Sequence, residues 1–141
     1  MRDKLLNLLG LMRKAGAIEI GETNTGTACR EGKGKILILA SDASDNARRR
    51  AESFVNGRST VLIELPFTKE EISVKVGVGG CSMAAITDLG FANAFVKGLA
   101  EISPEQYSAA SEQLEKRLGK AVRRRKSTAA EKKKHQGKRE E

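Results

Sequence analysis

Four short apolar runs alternate with longer segments of helical spacing, and this alternation most constrains the fold. The run from Ile36 to Ala40 has the length and continuous apolar character of a strand buried on both faces. Shorter runs at 18–20, 61–63 and 83–86 are predicted as the other strands. Strands that alternate with helices form a sheet covered on both sides. We therefore predict an α/β fold, a three-layer α/β/α sandwich with a mixed four-stranded sheet.

The segments between the runs carry helix start signals. Apolar residues recur at helical spacing over 3–15, which predicts the first helix. Thr68 and Glu71 have the spacing of a capping box, and Asp88 precedes another apolar helix as its cap. The second helix is predicted over 23–32, with Thr23 or Asn24 as its cap.

The sequence changes character after residue 102. Ser103 and Pro104 have the chemistry of a helix start, and a thin apolar stripe predicts a helix over 103–125. From 126 to 141 the charge runs have no apolar residues to bury, so we expect disorder in the free protein. The expected organisation is a domain over 1–102, an amphipathic helix over 103–125 and a basic tail over 126–141.

The positive charge of the chain is concentrated near its C-terminus. Residues 1–102 hold 14 Lys/Arg and 12 Asp/Glu, whereas residues 103–141 hold 12 and 6. A basic excess attracts polyanions, of which RNA is the commonest. An anionic membrane surface ranks lower, because the basic stretch has few bulky apolar residues. The residues expected to contribute electrostatically are Arg123, Arg124, Arg125, Lys126, Lys132, Lys133 and Lys134.

Several classes of protein are disfavoured by the sequence. Cys29 and Cys81 form neither a disulfide framework nor a zinc pattern, and no signal peptide or membrane-length apolar run is evident. We therefore expect a reducing, cytoplasmic setting. The single histidine, His135, lies in the tail, and no nucleophile–base pair or metal-ligand spacing is evident, so we expect no enzyme, cofactor or metal. Cys29 is expected in the core, and Cys81 is expected to be exposed.

Two glycine-containing turns are candidate ligand sites. Gly21 and Gly26 have the spacing of a phosphate loop, but Thr27 occupies the lysine position, so nucleotide hydrolysis is improbable. A plain strand-to-helix turn is one interpretation, and an RNA-phosphate and base-edge site is the preferred one. The glycine loop at 77–80 is either a flexible turn or a close approach to a ligand, with neither favoured. The arginines at 48–50 form a solvated helix face by default, with phosphate contact as the alternative.

Five segments in order resemble one family. They are 9–16, the Gly21 turn, 35–44, 68–71 and 85–92. The chain is similar over roughly 2–100 to the kink-turn RNA-binding ribosomal proteins, the large-subunit "seven Ae" and "thirty e" group. Within that group it most resembles the bacterial YlxQ-type proteins.

The resemblance implies an α/β/α sandwich that binds RNA through two elements, the N-terminus of the second helix and the loop before the last strand. Thr23, Asn24 and Thr27 stand where the family has Asn, Glu and Lys, and Glu22 adds a negative charge. The RNA-binding residues that it implies are Gly21, Thr23, Asn24, Thr27, Val78, Gly79, Gly80, Cys81 and Ser82.

The leading hypothesis is therefore a non-catalytic RNA-binding protein that is associated with the ribosome or translation. We expect neither a small-molecule substrate nor a membrane as its partner. Its partner is expected to be ribosomal or other structured RNA. The alternative is a protein-interaction module with a degenerate RNA site and a polyanion-binding tail. An enzyme ranks last.

Overall fold

A computed structural model describes residues 1–121. Its helices and strands are α1 (Arg2–Lys14), β1 (Ile18–Ile20), α2 (Glu22–Arg30), β2 (Ile36–Leu39), α3 (Asp45–Val55), β3 (Val61–Glu64), α4 (Lys69–Val76), β4 (Met83–Ile86) and α5 (Leu89–Ile102). A further helix, α6, occupies 104–121. The basic residues predicted to contribute at 123–126 and 132–134, and the tail over 126–141, lie outside the described residues.

The four strands form one mixed sheet in the order β1-β4-β2-β3. β4 is antiparallel to both of its neighbours, β1 and β2, whereas β2 and β3 are parallel. β1, β2 and β3 therefore all end at the same edge of the sheet, where β4 begins. The register fixes this edge, because Ile20 pairs with Ala84 and Leu39 pairs with both Met83 and Glu64.

The sheet separates two apolar layers. Ile36 and Ile38 of β2 belong to a core shared with α1, α4 and α5, whereas Leu37 and Leu39 belong to a smaller core with α2 and α3. Alternate residues of a strand point to opposite faces, so a continuous apolar run is required when both faces are covered. The predicted three-layer α/β/α sandwich with a mixed four-stranded sheet is confirmed.

Helix α6 covers the exposed side of the edge strand β3. The Tyr107 hydroxyl donates to the Glu64 carbonyl at 2.5 Å, and Arg117 Nη1 donates to the Ser59 carbonyl at 2.7 Å. The ten helical residues from Tyr107 to Arg117 span about 15 Å, which is close to the length of the five extended residues from Ser59 to Glu64. Helix α6 thus runs antiparallel to β3, and Tyr107 and Leu114 are buried in the larger core.

Most helix starts follow from local chemistry. Ser44 accepts from the Ala47 N–H, Asp88 accepts from the Phe91 N–H, and Thr68 forms the predicted capping box with Glu71. The predicted caps of α2 are wrong, because α2 begins after Gly21 without a side-chain cap.

No helix within residues 1–121 is long and apolar enough to cross a membrane.

Candidate nucleic-acid interface

The two elements predicted to contact RNA meet at the edge where β1 ends and β4 begins. The Gly21 N–H donates to the Met83 carbonyl at 3.1 Å, which extends the β1–β4 ladder by one residue. On the other side of β4, the Ala40 N–H donates to the Ser82 carbonyl at 2.8 Å. We call this edge, with the start of α2 and the loop over 77–82, the reading edge.

The start of α2 depends on an unusual backbone conformation at Gly21. Its φ of 93° and ψ of 164° lie in a region that is accessible essentially only to glycine. The first intrahelical bond runs from the Thr25 N–H to the Gly21 carbonyl at 2.9 Å. Helix α2 therefore begins earlier than predicted, and the N–H groups of its first turn have no side-chain cap.

The polar side chains of α2 hold one another and the backbone in place. Asn24 Nδ2 donates to the Ile20 carbonyl at 2.9 Å, so its amide faces back toward β1 instead of capping the helix. The Thr27 hydroxyl donates to the Thr23 carbonyl at 3.0 Å. Thr23, Asn24 and Thr27 are all exposed, so they present hydroxyl and amide groups to solvent along one side of the helix.

An arginine that the sequence analysis did not select lies beside these residues. Arg30 Nη2 donates to Thr27 Oγ1 at 3.2 Å, and a Cβ at Gly26 would lie 3.2 Å from Arg30 Nη1. A helical side chain points toward the N-terminus of its helix, so the arginine reaches back along α2. The sequence does carry a signal for this contact, because residues three apart on a helix, such as Thr27 and Arg30, are neighbours on its surface.

The three arginines of α3 differ in their surroundings. Arg48 is held by Glu64 at 2.7 Å, and this guanidinium lowers the pKa of the Glu64 carboxyl. Arg49 Nε donates to its own helix, at the Asp45 carbonyl, over 3.4 Å. Arg50 Nε lies 3.0 Å from Glu22 Oε1 and remains two-thirds exposed. Only Arg50 is thus tied to the start of α2, where it offsets the negative charge of Glu22.

The loop over 77–82 is shaped by two glycines in the left-handed region. Gly77 closes α4 with a φ of 72°, and Gly80 has a φ of 67°. Between them, Val78 and Gly79 are exposed, and a Cβ at Gly79 would meet nothing within 4 Å. The tip of the loop is therefore open, with an apolar side chain next to bare backbone.

Cys81 anchors this loop from the inside. Its N–H donates to Ser73 Oγ at 3.0 Å, and its thiol donates to the Met83 carbonyl at 3.5 Å. The expectation that Cys81 is exposed is wrong, because the side chain is 3% exposed and burial raises the pKa of its thiol. Ser82 is half-buried. Cys29 is buried in the smaller core, as predicted.

Among residues 1–121, no group of three His, Cys, Asp or Glu side chains is placed to hold a metal ion. The polar groups of the reading edge are hydroxyls, an amide, backbone N–H groups, guanidinium groups and the carboxylate of Glu22, which is paired with Arg50. The hydroxyl, amide, N–H and guanidinium groups can form hydrogen bonds with phosphate oxygens and base edges.

The chain is similar in sequence to a known protein and similar in fold to a solved structure. Over 91 residues the chain is 34% identical to the RNA-binding protein YlxQ of Enterococcus faecium, covering 64% of this chain and 86% of that protein. No protein-family model matches the sequence.

A solved structure of a protein with unknown function from Bacillus halodurans C has a TM-score of 0.61 and 21% identity. The superposition covers 67% of this chain and 94% of the Bacillus halodurans chain. At this identity the similarity shows the fold alone. The identity to YlxQ extends over most of that protein's length, and it agrees with the resemblance carried by the motifs. The chain belongs to the family of the RNA-binding protein YlxQ.

Proposed function

We propose that this protein binds structured RNA, without catalysing a reaction, through the reading edge. The observation that carries the proposal is the hydrogen bond between Gly21 and Met83, which joins the start of α2 to the strand that follows the loop over 77–82. Two short elements, far apart in sequence, become one continuous surface. The name of the Enterococcus faecium relative, an RNA-binding protein, supports the same partner.

The start of α2 supplies the polar contacts. Uncapped N–H groups at a helix N-terminus attract phosphate, because they carry partial positive charge and lack partners. The exposed Thr23 hydroxyl and Asn24 amide can both donate and accept, which suits a base edge. The hydrogen bond from Asn24 to Ile20 fixes this amide before RNA arrives, which lowers the entropy cost of binding.

The loop over 77–82 supplies a close approach and an apolar contact. Gly79 and Gly80 expose backbone, so a nucleotide can approach without meeting a side chain. Val78 offers an apolar surface beside them, suited to a base turned out of its stack. Cys81 contributes by holding the loop, through its buried thiol and its bond to Ser73.

Charge at the reading edge comes from arginines. Arg30 lies beside Thr27 and Arg50 lies beside Glu22, whose carboxylate offsets part of this charge. The basic sequence at 123–126 and 132–134 adds affinity that does not depend on RNA sequence. We propose ribosomal or another structured RNA as the partner and the cytoplasm as the setting.

The experiment is equilibrium binding of the full chain to a kink-turn RNA and to a plain RNA duplex of equal length across a salt series. Tighter binding to the kink-turn RNA supports recognition of RNA shape by this surface. The double variant Thr23→Ala/Asn24→Ala should remove at least part of this preference, whereas Asn7→Ala, an exposed asparagine on α1, should leave it unchanged. Failure of the full chain to bind either RNA at low salt contradicts the proposal.

One observation favours a second function, a protein-interaction module. Helices α1 and α5 border a groove that is lined by Leu8, Leu11 and Ala94, and Leu11 is 55% exposed. An exposed apolar groove of this kind is typical of protein-docking surfaces. If neither RNA binds, this groove is the surface to examine next.

A further inference from the structure

A second group of cations lies at the other edge of the sheet, where β1, β2 and β3 begin and β4 ends. Lys35 precedes β2, Arg58 precedes β3, and Arg117 lies on α6. We call this group the basic edge. The strands that separate the two edges are about four residues long, which corresponds to about 13 Å. The basic edge therefore lies at the opposite end of the strands from the reading edge, and the two come closest at Arg30, whose carbonyl accepts from Arg58 Nη1 at 3.4 Å.

Hydrogen bonds gather these cations from three elements. Arg58 Nη1 donates to the Cys29 carbonyl at 3.0 Å, across the end of α2. Arg117 Nη1 donates to the carbonyl of Ser59, the residue after Arg58, at 2.7 Å. Thr60 Oγ1 donates to the carbonyl of Gly34, the residue before Lys35, at 2.7 Å. The Arg58 and Arg117 side chains and the backbone beside Lys35 are thus held together at this edge of the sheet.

The charge of this patch is not neutralised by carboxylates within residues 1–121. Lys35, Arg58 and Arg117 form no ion pair there, whereas the neighbouring Lys33 lies 3.1 Å from Glu31. Each guanidinium uses Nη1 on a backbone carbonyl, and within the described residues Nε and Nη2 make no hydrogen bond. These remaining donors match the fork geometry with which arginine binds phosphate.

Helix α6 carries the chain toward this edge. It passes Glu64, near the reading edge, at Tyr107 and reaches Ser59 at Arg117. Exposed Lys120 follows one turn later, and the next basic run in the sequence is 123–126. Helix α6 therefore brings two cations of its own, Arg117 and Lys120, toward the basic edge.

We infer that the basic edge is a second nucleic-acid contact, which binds the phosphate backbone of a stretch of RNA away from the reading edge. This inference rests on the proposed function and deepens it. Because phosphates are the same in every sequence, the basic edge contributes affinity and salt dependence, while the reading edge contributes discrimination. An acidic protein segment is the competing occupant.

The test measures the salt dependence of binding for full-length variants. The double variant Arg58→Gln/Arg117→Gln is compared with Lys4→Gln/Lys97→Gln, which removes two charges beside the groove between α1 and α5. Each phosphate contact contributes about 0.9 to the slope of log affinity against log salt for a B-form duplex. We expect the slope to become shallower by about 1 to 2 on both the kink-turn RNA and the plain duplex, with the control unchanged.

Lys35→Glu guards against loss of folding, because the Lys35 side chain makes no hydrogen bond within the described residues, and Lys4→Glu is its matched control. We expect Lys35→Glu to weaken binding to both RNAs by a similar factor and Lys4→Glu to have little effect. Unchanged slopes in folded variants overturn the inference. Binding of the same variants to polyglutamate tests the competing occupant. Variants that lose binding to polyglutamate but keep RNA binding also overturn the inference, because an acidic protein segment is then the occupant.

The two proposals fail in different ways. Failure of the reading edge appears as equal affinity for the two RNAs, whatever the slopes are. Failure of the basic edge appears as unchanged slopes, whatever the preference between the RNAs is.

Discussion

The backbone N–H of Gly21 donates to the carbonyl of Met83 at 3.1 Å. This bond joins the residue before α2 to the first residue of β4, more than sixty positions later in the sequence. Helix α2 and the loop over 77–82 consequently share one edge of the sheet. The proposed recognition of RNA depends on this relationship, since neither element alone offers both a helix N-terminus and exposed glycine backbone.

Replacing Gly21 by alanine should destabilise the protein. Its φ of 93° and ψ of 164° disfavour any side chain, and the cost of such a conformation is about 1–3 kcal/mol. Urea denaturation of Gly21→Ala measures the loss. Gly79→Ala is the matched control, because Gly79 does not have a positive φ and a Cβ there would meet nothing within 4 Å. Equal stability of the two variants would contradict the assignment of strain to Gly21.

Arg30→Gln should weaken RNA binding without affecting folding. The guanidinium lies beside Thr27, so its removal deletes one cation from the reading edge. We expect the slope of log affinity against log salt to become shallower by about 1. Arg49→Gln removes an exposed arginine of α3 whose recorded hydrogen bond is to its own helix, and it should have the smaller effect. A larger effect at Arg49 would place the contact on α3 instead of α2.

Leu114→Ala should destabilise the whole protein, because Leu114 is fully buried in the larger core although it lies on α6. Cavity-forming substitutions of this type cost about 2–5 kcal/mol. Gln113→Ala, at an exposed neighbouring position, should change the free energy of unfolding by less than about 0.5 kcal/mol. A fragment ending at residue 102 lacks both Tyr107 and Leu114 and should be less stable than one ending at 121.

Acid should remove a stabilising contribution of Glu71. Arg2 and the Thr68 N–H both donate to this carboxylate, and they lower its pKa in the folded protein. The contribution is therefore fully present above the unfolded pKa of about 4.3 and is lost as the pH falls through the lower folded value. Because the pair is exposed, its size is at most about 1 kcal/mol.

Urea midpoints at neutral pH and near pH 3 test this prediction. Wild type should lose more stability between the two conditions than Glu71→Gln does. An equal loss in both proteins would show that Glu71 titrates alike in the folded and unfolded states.

Much of the fold could be predicted because its signals are local. Thr68 with Glu71 and Asp88 are caps whose partners lie within three residues, and the strand at 36–39 has an unbroken apolar run. Periodicity and capping chemistry are enough to recognise such elements. The docking of α6 on β3 depends on Tyr107 and Arg117 contacting backbone about forty to sixty residues away, so its location could not be read from the helix alone.

The reading edge was harder to predict. Thr23 and Asn24 are residue types that often cap helices, but α2 already begins after Gly21. The Asn24 side chain forms a hydrogen bond with the Ile20 carbonyl instead. Cys81 follows four exposed residues of the loop, yet contacts with Ser73 and Met83 bury it. These contacts are close in sequence, but they depend on how the backbone turns at Gly21 and in the loop before Cys81, which residue types alone do not specify.

Backbone amide chemical shifts, measured by NMR while a kink-turn RNA is added to the full chain, test the proposed interface most directly. We predict the largest changes at 21–24 and 78–82, together with smaller changes near Lys35, Arg58 and Arg117. Changes confined to the groove between α1 and α5, with the reading edge unaffected, would contradict the assignment of RNA recognition to Gly21 and its neighbours.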